Sequence, residues 1–241
     1  MRPSRLVLTF ITLLVLAGLG IAVVAAAKST PPGDRSWTAP DIDRYPVASI
    51  AMLPPATYDG NADARKQVEQ AVGLALKGSG HRWVSPFLVR DVMVKNGGDS
   101  LTKVINEHLL KNPRVDSLEA PRLSRLFRAR ALLTVRVDEM ERMELEANQS
   151  GRPTTSIQLS AALVDSTGRL LWTMSSSETV EGAQQDPGAN VIGVKASGLN
   201  TTAVGAISPA PTYEEVLAKM CARWTDAFPK RAAADSSGAG K

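Results

Sequence analysis

The sequence contains a single cysteine, Cys221, among 241 residues. One cysteine excludes an internal disulfide bond. It also argues against a lipid anchor, because a bacterial lipoprotein carries its lipid on a cysteine that follows the N-terminal apolar run, and Cys221 lies far from that run in a predicted helix.

Histidine is nearly as scarce, with only His81 and His108. Neither has a metal-ligand spacing such as H-x-x-x-H, and we expect both to be polar residues at the ends of elements. The chain has no G-x-S-x-G elbow, Walker loop or dinucleotide-binding glycine motif, since the glycines of residues 78–80 follow a predicted helix rather than a strand. We therefore predict no catalytic residue, no metal and no cofactor.

Aromatic residues make up 5% of the chain. Trp83 and Trp172 each lie in an apolar run that predicts a strand. We expect both to be core residues rather than a platform for stacking sugars.

The excess of positive charge is small, with 28 Lys and Arg against 24 Asp and Glu. Arg2 and Arg5 belong to the first segment, and without them the excess is two. The pI near 9.3 therefore does not indicate a nucleic-acid partner. Arg122, Arg125 and Arg128 recur every three residues and predict a solvated helix face, with contact to an anionic lipid or polymer as the alternative.

Acidic residues are concentrated in one predicted strand, where two arginines lie among them: Asp138, Glu139, Glu141, Glu144 and Glu146, with Arg136 and Arg142. A carboxylate pair or a calcium site is one interpretation of such a cluster. Because no glycine-bearing ligand loop accompanies it, we expect a solvated strand face instead.

The first segment, residues 1–27, predicts export. Arg2 and Arg5 precede an uncharged apolar run that ends in three alanines, a pattern typical of a signal peptide. The run also has about the length of a membrane span, roughly twenty residues, so an uncleaved inner-membrane anchor is the alternative. Both interpretations place the rest of the chain in the periplasm.

The remaining chain is predicted to form one domain between two irregular ends. Residues 28–45 contain several prolines and little apolar periodicity, and they predict a flexible tether. Residues 46–229 are the predicted α/β domain, and residues 230–241 the predicted disordered tail.

The domain begins with the pattern of a parallel β-α-β unit. Residues 47–53 form an apolar run typical of a strand buried on both faces. A helix follows, capped by Asn61 or Asp63 and ended by the glycines of residues 78–80, and residues 81–85 predict a second strand. Two further helices separated by residues 96–98, and a third opened by Asp116 or Ser117, are expected next.

An antiparallel meander of three strands is predicted over residues 131–182. Asp165 and Gly168 predict a tight turn between the last two strands, and broken alternation predicts a bulge near residues 138–142. Thr212 and Glu215 form a capping box that opens a final amphipathic helix. The expected fold class is α/β, a mixed sheet with a parallel β-α-β start, an antiparallel three-strand meander and helices packed on the sheet.

The stretch of residues 182–211 is long for a loop inside a compact domain. It nevertheless carries six aliphatic residues: Val191, Ile192, Val194, Leu199, Val204 and Ile207. We predict a partner-binding loop that orders against a protein, a second copy or a membrane, and the alternative is a loop that folds back over its own sheet.

Three short motifs carry a resemblance to a known group: IAMLPP at residues 50–55, ARALL at residues 129–133 and DSTGRLLW at residues 165–172. With the order of elements, they resemble the periplasmic α/β domain shared by the TolB N-terminal domain, LpoB, CsgG and related bacterial lipoproteins. The chain departs from that group in lacking the lipid-bearing cysteine and the amphipathic pore strands of the curli protein, so no site residue is carried over.

The resemblance implies a non-enzymatic module for envelope biogenesis or transport. We therefore expect an exported protein that binds an envelope protein partner, with no nucleic acid bound. The alternatives are an oligomeric secretion or pore-associated component and a hydrolase of envelope polymers.

Overall fold

The computed structural model describes residues 33–45, 47–58, 60–146, 148–185 and 208–231. Within them, seven strands form one mixed sheet: β1 (Arg35–Thr38), β2 (Ser49–Met52), β3 (Ala56–Thr57), β4 (Arg82–Val84), β5 (Ala131–Met143), β6 (Thr154–Asp165) and β7 (Leu170–Glu181). The strand order is β1-β7-β6-β5-β2-β4, and β3 pairs with β5 beyond the end of β2. The predicted α/β fold class is confirmed.

Four α-helices in the described residues pack on the two faces of this sheet: α1 (Ala62–Leu76), α2 (Pro86–Lys111), α3 (Ala120–Phe127) and α4 (Tyr213–Ala227). Helices α1 and α4 cover one face, where Trp172 and Trp224 are fully buried. Helices α2 and α3 cover the other face. Each helix turns an apolar stripe to the sheet, which is the pattern that its sequence periodicity predicts.

The parallel start of the sheet is confirmed. Strands β2 and β4 pair in parallel, with Ile50 opposite Trp83, and all four residues of β2 are buried. In the chain between these strands, the Asn61 side chain caps α1 by accepting hydrogen bonds from the backbone amides of Asp63 and Ala64. Gly80 ends the segment with φ of +81°, a conformation that glycine adopts at little cost.

Two other predicted helix boundaries have clear causes. Gly98 interrupts α2 with φ of 60° and ψ of −155°, so the predicted break falls within the expected residues 96–98. Asp116 accepts hydrogen bonds from the amides of Leu118 and Glu119, and it thereby opens the turn that leads into α3.

The antiparallel meander is also confirmed. The register of β5 against β6 shifts between Val137 and Glu139, which is the predicted bulge. In the turn between β6 and β7, Asp165 accepts hydrogen bonds from the amides of Thr167 and Arg169, and Gly168 has φ of +85°. The local chemistry of this turn therefore sets the register of β6 against β7.

The predicted tether is different in the structure. Residues 35–38 form β1, an edge strand that pairs antiparallel with β7 through pairs such as Trp37 with Thr173. All four residues of β1 are exposed, so the strand has no apolar alternation by which sequence could reveal it. Residues 28–32 lie outside the described part of the chain.

Trp172 is fully buried, as predicted, whereas Trp83 is only half-buried at the edge of the same core. The Trp83 indole donates a hydrogen bond to the Leu76 carbonyl, so it joins β4 to the end of α1. The core prediction therefore holds fully for one tryptophan and partly for the other.

The predicted signal or anchor, residues 1–27, lies outside the described residues. Among the residues that the structure describes, no helix is long and apolar enough to cross a membrane. Of the predicted tail, Lys230 and Arg231 are described, and the Arg231 amide donates to the Ser79 carbonyl.

Candidate functional site

The six aliphatic residues of the predicted partner-binding loop lie outside the described residues. The two ends of that stretch are described and lie together. The Ser208 backbone amide donates to Gln185 Oε1 at 3.2 Å, and Gln185 Nε2 of the same side chain donates to the carbonyls of Glu146 and Gln149. The two described residues that flank the stretch are therefore joined through the buried side chain of Gln185.

An apolar groove lies between α1 and α4. Its volume is about 540 Å³, and its walls are mainly alanine and leucine with a polar rim: Gln67, Gln70, Ala71, Leu74, Ala75, Glu214, Leu217, Ala218, Cys221, Ala222 and Thr225. The small side chains at residues 71, 75, 218 and 222 keep the groove open. Leu74 lies in the wall of the groove, and 67% of its surface is exposed.

The floor of this groove includes Cys221, whose side chain is buried. Burial raises the pKa of the Cys221 thiol to about 12, an effect that the positive charge of Arg223 only partly opposes. The thiolate is the reactive form of cysteine, so this thiol serves as an apolar packing group.

A smaller polar cleft of about 310 Å³ adjoins the groove at the start of α1. It lies beyond the carboxyl ends of the parallel strands, where open α/β sheets commonly bind ligands. Two tyrosines, an asparagine and several acidic residues line it: Tyr58, Asn61, Asp63, Asp138, Glu139, Glu141 and Tyr213. Gln67 lines both the cleft and the groove, so the two form one continuous surface, called here the α1–α4 surface.

Several hydrogen-bond acceptors of the α1–α4 surface have no donor paired with them among the described residues. Within the described residues, the carboxylates of Asp63, Glu139, Glu141 and Glu214 make no ion pair or hydrogen bond. The Oε1 atom of Gln67 is buried and has no hydrogen-bond partner among the described residues. A molecule with hydrogen-bond donors and positive charge therefore suits this surface.

The predicted acidic strand is divided between structural and free residues. Asp138 is paired with Arg136 at 2.5 Å and accepts from the Ser160 hydroxyl, and Glu144 is paired with Arg142. Glu139 and Glu141 are exposed and face the polar cleft. Among the described residues, no group of three or more His, Cys, Asp or Glu side chains could hold a metal ion.

The two histidines have structural contacts. The ring nitrogens of His81 lie 2.7 Å from the Val47 carbonyl and 2.9 Å from the Pro229 carbonyl, so this side chain joins the segment before β2 to the segment after α4. His108 lies near the end of α2, with Nε2 at 3.3 Å from the Arg114 carbonyl. Both lie at the ends of elements, as predicted.

No protein-family model matches the sequence, and no curated protein matches it. Solved structures do show similarity. The PelC dodecamer from Paraburkholderia phytofirmans matches with 14% identity and a TM-score of 0.44, over 83% of this chain and 98% of that chain. The lipoprotein GNA1162 from Neisseria meningitidis matches with 20% identity and a TM-score of 0.45, over 59% of this chain and 89% of that chain.

The hypothetical protein CT253 from Chlamydia trachomatis matches with 13% identity and a TM-score of 0.33, over 74% of this chain and 96% of that chain. Similarity at this level carries no functional argument. The narrower resemblance to the TolB, LpoB and CsgG group stays a prediction.

The α1–α4 surface is not among the sites that the sequence patterns predict. A signal was present, because alanines recur four residues apart in each helix, at Ala71 and Ala75 and at Ala218 and Ala222. Such a spacing also occurs where helices pack closely, and only the tertiary structure shows that these alanines flank an open groove.

Proposed function

We propose that this chain is a non-enzymatic, exported envelope protein that binds a partner protein through the α1–α4 surface. The observation that carries the proposal is the apolar groove itself, about 540 Å³ in volume and lined by the small and aliphatic side chains of two helices. Grooves of this kind accept an amphipathic segment that lays its apolar face between two helices.

The distribution of charge defines the chemistry of that segment. Apolar side chains suit the groove, whereas the adjoining cleft presents the free carboxylates of Asp63, Glu139 and Glu141. Electrostatic complementarity favours a partner with lysine or arginine at the end that enters the cleft. The proposed ligand is therefore a peptide segment of a partner protein, apolar along one face and basic at one end.

A site-specific photo-crosslinker in place of Leu74 tests this proposal in cells. The matched control is the same crosslinker in place of Leu118, which is also an exposed leucine, at 84% of its surface, but lies before α3 on the other side of the sheet. We expect one discrete adduct from position 74 and none of that mass from position 118. Equal adducts from both positions would contradict a specific groove.

Binding of the partner identified in this way should then depend on the groove and on charge. Leu74→Glu should weaken binding by at least about tenfold, because it places a charge against an apolar ligand face. The double substitution Glu139→Gln and Glu141→Gln should weaken binding most at low salt. At high salt, screening already removes the attraction between these carboxylates and the basic end of the partner. Leu118→Glu is the control and should leave the affinity unchanged.

The exported location is tested separately. Alkaline phosphatase fused after Lys241 should be active in a bacterial host, because the enzyme gains activity only outside the cytoplasm. Removal of residues 1–27 should abolish that activity. A full-length fusion that is stable but inactive would show that the chain is not exported.

A further inference from the structure

A second cleft lies at the opposite end of the sheet, where the parallel strands begin. Its volume is about 570 Å³, and its lining is basic and hydroxylated without a carboxylate: Ala48, Ser49, Arg82, Pro121, Ser124, Arg125, Arg128, Ala129, Arg130 and Ser166. Four arginines therefore face one opening. They come from the first residue of β4, the last turn of α3 and the segment between α3 and β5.

These arginines lack the partners that neutralise other arginines of the protein. Within the described residues, the guanidinium groups of Arg82, Arg128 and Arg130 make no ion pair or hydrogen bond, and Arg125 donates only to the Pro121 carbonyl. Arg122, on the same helix, is instead paired with Glu119 at 2.7 Å. The predicted arginine series is exposed as expected, but it divides into one paired residue and two that line the cleft.

The floor of the cleft contains an unsatisfied hydroxyl. Ser124 is only 3% exposed, and its Oγ has no hydrogen-bond partner among the described residues. A buried hydroxyl without a partner is unfavourable, so an acceptor oxygen seated at the floor would stabilise it. Ser49 Oγ accepts a hydrogen bond from the Arg130 amide, which leaves its own hydrogen for a further acceptor.

Arg128 occupies a conformation that favours glycine. Its φ is +51° at the end of α3, the left-handed region, and it is the one residue other than glycine with positive φ in the described part of the chain. A glycine here would relieve the steric cost of a side chain. An arginine at this position therefore suggests a role for the guanidinium itself.

We propose that this arginine cleft binds a phosphate-bearing ligand. Arginine presents fixed pairs of N–H donors that match the oxygens of a phosphate, and several such pairs suit a ligand with at least two negative charges. The end of α3 opposes an anion with about half a negative charge. Four arginines provide full positive charges, so the net field favours the anion.

Isothermal titration of the full chain with pyrophosphate, and co-sedimentation with vesicles of phosphatidylglycerol or of phosphatidylcholine alone, test the proposal. The variants are Arg128→Gly, Arg130→Gln and Ser124→Ala. Arg128→Gly is the most informative of these variants. It removes the guanidinium and also the steric cost of a side chain at positive φ, so the melting temperature should not fall. Arg122→Gln is the matched control, since Arg122 is on the same helix but paired outside the cleft.

We expect binding to weaken about tenfold or more in Arg128→Gly and Arg130→Gln, as loss of a charged hydrogen bond predicts, and to stay at the parental value in Arg122→Gln. Ser124→Ala should weaken binding without lowering stability. Pyrophosphate binding with this pattern identifies a soluble phosphate ligand, whereas binding only to phosphatidylglycerol vesicles with the same pattern identifies a lipid headgroup. Binding of neither probe, or an equal loss in Arg122→Gln, would overturn the proposal.

Discussion

Arg223 of helix α4 and Asp34, the residue directly before β1, form a two-point ion pair. Arg223 Nε lies 2.6 Å from Asp34 Oδ2, and Nη2 lies 3.1 Å from Oδ1. The Asp34 side chain is 1% exposed, so its charge depends on this partner. The pair joins the start of the domain to its last helix across 189 residues of sequence, and it holds β1 in place on β7.

Asp34→Asn should destabilise the domain by about 3 kcal/mol, because it leaves the Arg223 guanidinium without its buried carboxylate. Urea unfolding at neutral pH measures the loss. Asp43→Asn, at an exposed aspartate in the same N-terminal region, is the control and should change stability little. A domain equally stable without the Asp34 charge would show that β1 is held by its backbone pairing alone.

The pH dependence of stability should depend on Glu178, which accepts hydrogen bonds from Lys219 and Arg223. Burial alone would raise the pKa of Glu178, but the hydrogen bonds and charges of these two cations outweigh burial and lower the pKa below its ordinary value. The folded pKa therefore lies below the unfolded one. The stability that Glu178 contributes is present above the unfolded pKa and is lost as the pH falls through the folded pKa.

Glu178→Gln should accordingly cost about 2 kcal/mol at pH 7. The difference from the parent should shrink steadily below about pH 4, as the parental carboxylate becomes protonated. Urea unfolding curves of both proteins between pH 3 and pH 7 provide the test. A difference that stays constant over this range would show that the charge of Glu178 has no part in stability.

Trp172→Ala should destabilise the domain by about 3–5 kcal/mol through the cavity that it leaves. Trp172 is fully buried, its ring contacts Trp224 and Phe228 edge-on, and its indole donates to the Ala227 carbonyl at 2.9 Å. Trp172→Phe should cost less, since it keeps most of the apolar volume. Thermal unfolding of both variants measures the order, and a reversed order would contradict the packing described.

Two glycine substitutions should change stability in opposite directions. A Cβ at Gly168 would lie 2.4 Å from the Ser117 Cα, and the φ of +85° adds strain. Gly168→Ala should therefore cost at least about 2 kcal/mol. Gly73 lies inside α1 with nothing within 4 Å of its Cβ position, so Gly73→Ala should stabilise the helix by about 0.5–1 kcal/mol.

Local chemistry explains which parts of the fold the sequence predicts. The Asn61 cap, the turn at Asp165 and Gly168, and the capping box at Thr212 each act within a few residues, and each is present in the structure. Strand β1 depends instead on Asp34 meeting Arg223, far away in sequence. The α1–α4 surface and the arginine cleft likewise arise only where separate elements meet. The alanine spacings in α1 and α4 therefore indicate a groove only after the two helices are placed side by side.

The predicted partner-binding loop can be tested by replacing residues 187–207 with a Gly-Ser linker. The Ser208 amide lies 3.2 Å from Gln185 Oε1, so a linker of about four residues, which reaches roughly 13 Å, can close the gap. Gln185 keeps its hydrogen bonds to the Glu146 and Gln149 carbonyls in the shortened chain. The melting temperature should therefore stay near the parental value, because the hydrogen bonds of the Gln185 side chain are preserved.

The same replacement removes all six aliphatic residues of the predicted loop. If these residues bind the partner, the photo-crosslinked adduct from position 74 should be lost while the domain stays folded. The control replaces the same residues with a soluble sequence of equal length in which the six aliphatic residues are serine, and it should lose the adduct equally. A shortened chain that is strongly destabilised but still captures its partner would show that the stretch covers its own sheet, because only an internal contact would then have been removed.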